Sequence, residues 1–175
     1  MASKPFSVNT NRFDPFKHCR FLVYIEGVTG AGVNGAVAGI NKVTALKRSS
    51  DVVEYKQGGD GIIRKGLGRT KYEPITLERG ITFDSTFEDW ANAAQVLDKG
   101  APTTSLVNLR QEIRIELLDE QAQPVARYLV HRAWVSEFQA LPDLDAGSSA
   151  VAIEHIKVEN EGWERDLSLT ETPEF

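Results

Sequence analysis

Cysteine is almost missing from this 175-residue chain. Cys19 stands alone, so no intrachain disulfide can form, and a reducing cytoplasm is the expected site of synthesis. Long apolar runs are missing too: no stretch approaches the roughly 18–20 consecutive apolar residues that a membrane-spanning helix needs. The opening MASKPFSVNTNRFDP has no apolar region of the kind a secretory signal requires, so a chain that is soluble when made, without membrane binding of its own, is expected. Positive charge is in deficit, with 20 Lys and Arg against 25 Asp and Glu and a formal net charge of −5, which argues against nucleic-acid binding as the main task. His18, His131 and His155 lie in separate segments without ligand spacing, so no zinc site is expected.

What the chain does have is β pattern. Residues 20–26, RFLVYIE, form a compact branched and aromatic run, as in a largely buried strand. Residues 112–118, EIRIELL, alternate, with Ile113, Ile115 and Leu117 on one face and Glu112, Arg114 and Glu116 on the other. After the turn DEQAQP comes VARYLVHRAWVSEFQ, in which Tyr128, Val130, Trp134 and Phe138 share a parity that one strand would place on one face. In 150–159, AVAIEHIKVE, the apolar phase changes by one residue, which a β-bulge near His155 would explain. Segments 37–47, 51–56 and 73–79 supply three further strands. One helix interrupts this pattern. Ser85 and Glu88 fit a capping box, Phe87, Trp90, Ala94 and Leu97 make an apolar stripe, and Gly100 and Pro102 end it. The reading is one domain over 1–175, mainly β, with arm-like ends at 1–15 and 164–175.

Two glycine-rich stretches look chemical. Gly30-Ala31-Gly32-Val33-Asn34-Gly35 is a literal G-x-G-x-x-G, follows a strand, and has Asp51 about twenty residues on. Yet 37–47 makes a poor crossover helix and no β-α-β alternation follows, so a dinucleotide-binding enzyme is the weaker reading and a turn between strands the stronger. The second stretch, EYKQGGDGIIRKGLGRTKYEPITLERG at 54–80, gives Gly61 and Gly66 the spacing of a phosphate loop. Leu67-Gly68 then stands where Lys and Ser or Thr are needed. No nucleophile setting, cofactor or catalytic role is expected. The segment 56–71 remains open as a hairpin or as an arm ordered by another chain.

Charge distribution is more informative. Between 56 and 71, Lys56, Arg64, Lys65, Arg69 and Lys71 stand against Asp60 alone. Between 159 and 175, six acids, among them Glu159, Glu161 and Glu164, stand against Arg165. Two solvated segments are the plain reading; complementary surfaces for head-to-tail assembly are the sharper one. These eight residues are the candidate inter-subunit contacts.

Taken in order, GINKVTALKRSSDVVEYKQGGD, GRTKYEPITLERG, the helix around DWANAAQVLD and ALPDLDAGSSAVAIEHIKVENEGWE resemble the tail-tube proteins of contractile phages and phage-derived contractile injection systems. FDPFKHCRFLVYIEG is similar to that family's N-terminal signature, and the resemblance runs from about residue 13 to 166. It implies two packed β-sheets, a barrel-like sandwich, with one flanking helix, and a structural subunit of a hollow inner tube. It further implies stacked hexameric rings, a surrounding sheath, baseplate or initiator and terminator partners, and DNA or effector-protein cargo in the lumen. Such a chain would be made in the cytoplasm and end in a virion tail or injection particle. A tube-initiator ring protein at the baseplate end shares the fold and is the alternative. Two departures stand out. Ala122 occupies a turn where the family commonly has glycine, and VTGAGVNGAVA at 28–38 is longer and richer in glycine than usual.

Overall fold

The computed structural model describes residues 15–26, 35–37, 39–56, 58–59, 61–98, 109–147 and 149–170, and the side chains of 94–98 are left aside. The expected arm 1–15 and the Gly30–Asn34 part of the glycine motif therefore lie outside the described residues, apart from Pro15. So do the side chains of Ala94 and Leu97.

Among the described residues, nine strands and one helix follow in chain order: β1 Phe21–Ile25, β2 Ile40–Val43, β3 Arg48–Lys56, β4 Ile63–Tyr72, β5 Ile75–Gly80, α1 Thr86–Asp98, β6 Gln111–Leu118, β7 Pro124–Gln139, β8 Ile153–Glu159 and β9 Gly162–Arg165. The main sheet has the order β1-β6-β7-β8-β5-β2, with β9 also beside β7. It works as two halves that share β7. The first part of β7 pairs with β6 and β9, and its last part pairs with β8. The inner faces of both halves enclose Val23, Ile75, Leu77, Ile113, Val130, Ile156 and Val158, and α1 closes the core with Phe87 and Trp90. Each fully buried aliphatic or aromatic side chain contributes about 1.5–3 kcal/mol. The described strands close no barrel within the single chain. Strands β3 and β4 form a separate two-stranded sheet.

The 16-residue β7 serves two sheets because it is broken twice. Arg132 has φ 52°, and at that point β6 changes register from Ile113 opposite Val130 to Gln111 opposite Ala133. The Glu112 carboxylate accepts a hydrogen bond from the Arg132 amide that the bulge frees, at 3.0 Å, and lies 2.7 Å from His131 Nδ1. The second break lies between Val135 and Glu137. Consequently the buried positions run Ala126, Val130, then Ala133 and Val135. The expectation that Tyr128, Val130, Trp134 and Phe138 share one face fails for Trp134, which the first bulge turns to the opposite side. In β8 the expected bulge near His155 is absent: the pairing with β5 is regular from Ile153 to Val158. The phase never changed. Glu154 occupies an inward position, where it binds Arg79, and Val151 precedes the strand on the surface.

Arg79 is 1% exposed, and its guanidinium bonds Glu154 and the Asp84 main-chain carbonyl while lying 4.2 Å from the centroid of the Phe87 ring. Asp84 also provides the helix cap. Its carboxylate accepts from both the amide and the hydroxyl of Thr86. The expected box of Ser85 and Glu88 does not form, because the Ser85 hydroxyl donates to Asp89 instead. Trp90 donates from Nε1 to the Leu109 carbonyl at 3.1 Å, which satisfies the one polar atom this large side chain takes into the core. At the β6–β7 turn, Ala122 sits at φ 62°, the left-handed conformation that favours glycine, and the Asp119 carboxylate holds the turn by accepting from the amides of Gln121 and Gln123.

Candidate assembly surface

Among the described residues, the β3–β4 hairpin is a strand pair that the chain's own core leaves uncovered. It grows out of the second half-sheet as a continuation of β2 and β5. Val43 faces Leu77, Thr44 N–H bonds the Thr76 carbonyl, Glu73 N–H bonds the Lys47 carbonyl, and Arg48 faces Tyr72. Pro74, with no N–H to give, stands between β4 and β5 and interrupts the ladder where the hairpin leaves the sheet. From there β3 and β4 pair only with each other, out to Lys56 opposite Ile63. The hairpin extends beyond the expected arm at 56–71: Ile63–Tyr72 is one strand, and β3 supplies the other side from Arg48.

Glycine and cations hid this strand because both are poor β formers, and the geometry shows why they are tolerated. Asp51 faces a bulge formed by Gly68 and Arg69, between Ser50 opposite Thr70 and Val52 opposite Leu67. A Cβ on Gly68 would lie 2.7 Å from the Asp51 carbonyl oxygen, so only glycine fits.

Both faces of the hairpin carry apolar side chains in the open. Val52, Leu67 and Ile63 lie on one face, and Val53 and Tyr55 on the other; all are exposed, Leu67 by 84%. In the sequence the signal is apolar residues, Ile62, Ile63 and Leu67, set inside a cationic run. A two-stranded hairpin is marginally stable in water at best, and an exposed edge invites pairing with another chain.

The root of the hairpin is fixed. Tyr72 meets Trp163 edge-on at 6.4 Å between centroids, and Arg48 lies 5.9 Å from the centroid of the same indole. Asn160 Nδ2 donates to the Glu73 carbonyl. Below this root the two half-sheets part around a cleft of about 380 Å³, lined by Phe21, Val43, Leu46, Ile115, Tyr128 and Trp163 among others. Its lining is mostly apolar.

The candidate contact residues divide into two groups. On the arm, Lys65 lies 3.6 Å from Glu54 and Lys71 3.1 Å from Asp51, both partners within the hairpin. Arg64 faces Tyr55, Arg69 sits in the bulge, and Lys56 is at the distal end. Exposed pairs of this kind are worth about 0–1 kcal/mol each. The acids lie in the segment beside the hairpin root, where Asn160 bonds Glu73 and Gly162 adjoins Tyr72. Glu161 binds Arg110 at 2.6 Å and Arg132 at 3.1 Å, Glu164 lies 3.5 Å from His131 Nε2, and Glu159 is 3.5 Å from the Ser136 hydroxyl. The segment from 164 on begins as part of β9, and Asp166 binds Arg127 at 3.0 Å. Hydrogen bonds from Ser168, then Arg127, hold the Asp166 carboxyl below its ordinary range.

Among the described residues no group of three or more His, Cys, Asp or Glu is placed to hold a metal ion, and no helix is long and apolar enough to cross a membrane. Among the described residues every strand pairing is antiparallel. That is incompatible with the β-α-β unit a dinucleotide site at Gly30–Gly35 would need.

Comparison with known proteins gives these features a setting. The model of the family described as T4-like virus tail tube protein gp19 matches residues 17–164. No curated protein matches the chain. Among solved structures, a chain in the sheath–tube complex of the extracellular contractile injection system PVC, in its extended state, has a TM-score of 0.69 at 22% identity. That match covers 87% of this chain and 91% of the other. A chain in the PVC sheath/tube terminator, also extended, has a TM-score of 0.70 at 22% identity over 87% of this chain and 97% of that one. A chain in the anti-feeding prophage baseplate has a TM-score of 0.67 at 22% identity, covering 87% and 95%. At these identities the structures share a fold.

Proposed function

The chain belongs to the T4-like virus tail tube protein family, and we propose that it is the repeating structural subunit of a hollow inner tube, built from stacked six-membered rings and serving a contractile tail or injection system. The observation that carries this reading is the β3–β4 hairpin, a hydrogen-bonded but uncovered strand pair with apolar side chains on both faces, standing on a domain of that family's fold. A neighbouring subunit covers the hairpin and pairs the open sheet edges that a single chain leaves. A heterologous contact of this kind generates rings when it closes and filaments when it does not.

Lys56, Arg64, Lys65, Arg69 and Lys71 belong to this contact, with the acids Glu159, Glu161 and Glu164 as own-chain neighbours of its root. Sheath, baseplate and terminator proteins are the partners of the assembled tube, consistent with the assemblies in which the similar chains were solved. DNA or effector protein passes through the lumen. The role is structural, without a catalytic step.

Negative-stain microscopy of the purified full chain tests this. Discs or tubes with a central hole are expected. A stable monomer at high concentration, forming no rings even when baseplate and sheath partners are supplied, would overturn the reading.

A further inference from the structure

The hairpin leaves the second half-sheet at one end, where β5 begins at Ile75. The other end of that half-sheet lies where β5 finishes at Gly80, opposite Ile153 at the start of β8, with Gln139 opposite His155 at the end of β7. Two connections meet there. Residues 81–85 lead into α1, and residues 140–152 join β7 to β8; Ile81 N–H bonds the Ala152 carbonyl at 3.0 Å. This far end is also apolar and uncovered: Ile81, Phe83, Leu141, Leu144 and Val151 are all exposed, Phe83 completely.

Charge separates the two ends. Segment 48–72 holds six cations and three acids, a net +3. Segments 81–90 and 140–152 together hold Asp84, Glu88, Asp89, Asp143 and Asp145 and no Lys, Arg or His. Asp84 is taken up by Arg79 and the helix cap, while the remaining four carboxylates are on the surface. By contrast Glu159, Glu161 and Glu164 lie at the hairpin's own end and meet Ser136, Arg110, Arg132 and His131 of the same chain.

We propose that the far end, formed by Ile81, Phe83, Leu141, Leu144 and Val151 with Asp143 and Asp145 at its rim, is the docking surface for the β3–β4 hairpin of a second copy of this chain. This rests on the tube reading and names the partner surface within it. The apolar side chains of the hairpin, Leu67, Ile63 and Val52 on one face or Val53 and Tyr55 on the other, seat against the exposed apolar residues of the far end. Its cations meet the carboxylates around them. An apolar centre with charge at the rim gives affinity from the first and orientation from the second. Because hairpin and far end lie at opposite ends of one half-sheet, copies stacked in one direction leave a fresh surface on each added copy for the next.

Tubes assembled from the full chain alone, with a benzophenone amino acid in place of Leu67, are illuminated and the intermolecular crosslinks mapped by mass spectrometry. Crosslinks to 81–84 and 141–151 are expected; crosslinks only to other segments, 159–165 included, or none at all, would overturn the docking. A second arm does not depend on the probe. Asp143→Lys with Asp145→Lys should keep its circular dichroism spectrum and raise the concentration needed for tubes about tenfold or more, equivalent to 1.4 kcal/mol at the contact. Adding Lys56→Glu and Arg69→Glu to the same chain should bring that concentration back towards the original. Normal tubes from the Asp143/Asp145 variant, or no recovery in the combined one, would sink this docking while leaving the tube intact. A wild-type chain that never assembles would take the tube reading down with it.

Discussion

Strands β4 and β5 are neighbours in the chain, separated by Glu73 and Pro74, yet they live in different solvents. β5 is flanked by β2 and β8 and alternates buried Ile75, Leu77 and Arg79 with half-buried residues. β4 has β3 beside it and nothing else, and apart from Gly66, Gly68 and Tyr72 it is exposed throughout. The hydrogen-bond ladder is of one kind in both. What differs is the support for it: net hydrogen-bond energies of about 0.5–1.5 kcal/mol barely offset the roughly 1–2 kcal/mol of backbone entropy lost per residue, so side-chain burial decides. The core half supplies its own burial, and the hairpin borrows it from a neighbour.

This contrast breaks most severely in the core. Trp90→Ala removes a side chain 4% exposed together with its bond to Leu109, and Glu154→Ala leaves the Arg79 guanidinium buried without its main partner. Each should destabilise the dissociated subunit by about 3–5 kcal/mol in urea unfolding. An unchanged midpoint for Trp90→Ala would mean that α1 is not docked through this residue.

The helix cap is the next test. Asp84 is held below its ordinary carboxyl range chiefly by the Thr86 hydroxyl, then by the Thr86 amide and Arg79. Its folded value lies under the unfolded value of 3.8, so its contribution is complete above that value and is lost as the pH falls through the folded one. Asp84→Ala should cost about 0.5–2 kcal/mol at neutral pH and less in acid, read from unfolding midpoints at both. An equal loss at both would remove the carboxylate from the account.

The hairpin should answer in the opposite way. Gly68→Val drives a side chain against the Asp51 carbonyl and should disorder the hairpin locally, leaving the midpoint of the domain within about 0.5 kcal/mol of wild type while abolishing tubes. Tyr55→Ser or Leu67→Ser should shift that midpoint by no more than about 0.5 kcal/mol, the usual range for surface positions. Sedimentation should still show tubes lost. A large stability loss from either would make the hairpin part of the core, and the contrast would collapse.

How much of this was legible in the sequence follows from range. The strand at β6 and the helix at α1 are local patterns, and each lies where the periodicity put it, whereas the cationic stretch showed in composition but its paired strands run beyond 56–71. Three misreadings share a cause. The turning of Trp134 away from Val130 depends on Arg132 adopting φ 52°, with Glu112 of another strand accepting its amide. Glu154 looked out of phase because its partner Arg79 is 75 residues away. The cap passed from Ser85 to Asp84 because Arg79, fixed by β5, bonds the Asp84 carbonyl and draws in its carboxylate. Of the assembly surface, the cations could be read off directly. The apolar residues on both hairpin faces could not, since strand exposure is a property of what the rest of the chain fails to cover.

Hydrogen exchange, measured on dissociated subunits and on assembled tubes, tests the borrowed stability of the hairpin most directly. Amides of β5, β7 and β8 should be slow in both samples, whereas those of β3 and β4 should exchange quickly in the subunit and become slow in the tube. Hairpin amides already as slow as those of β5 in the dissociated subunit, or still fast in the tube, would contradict it.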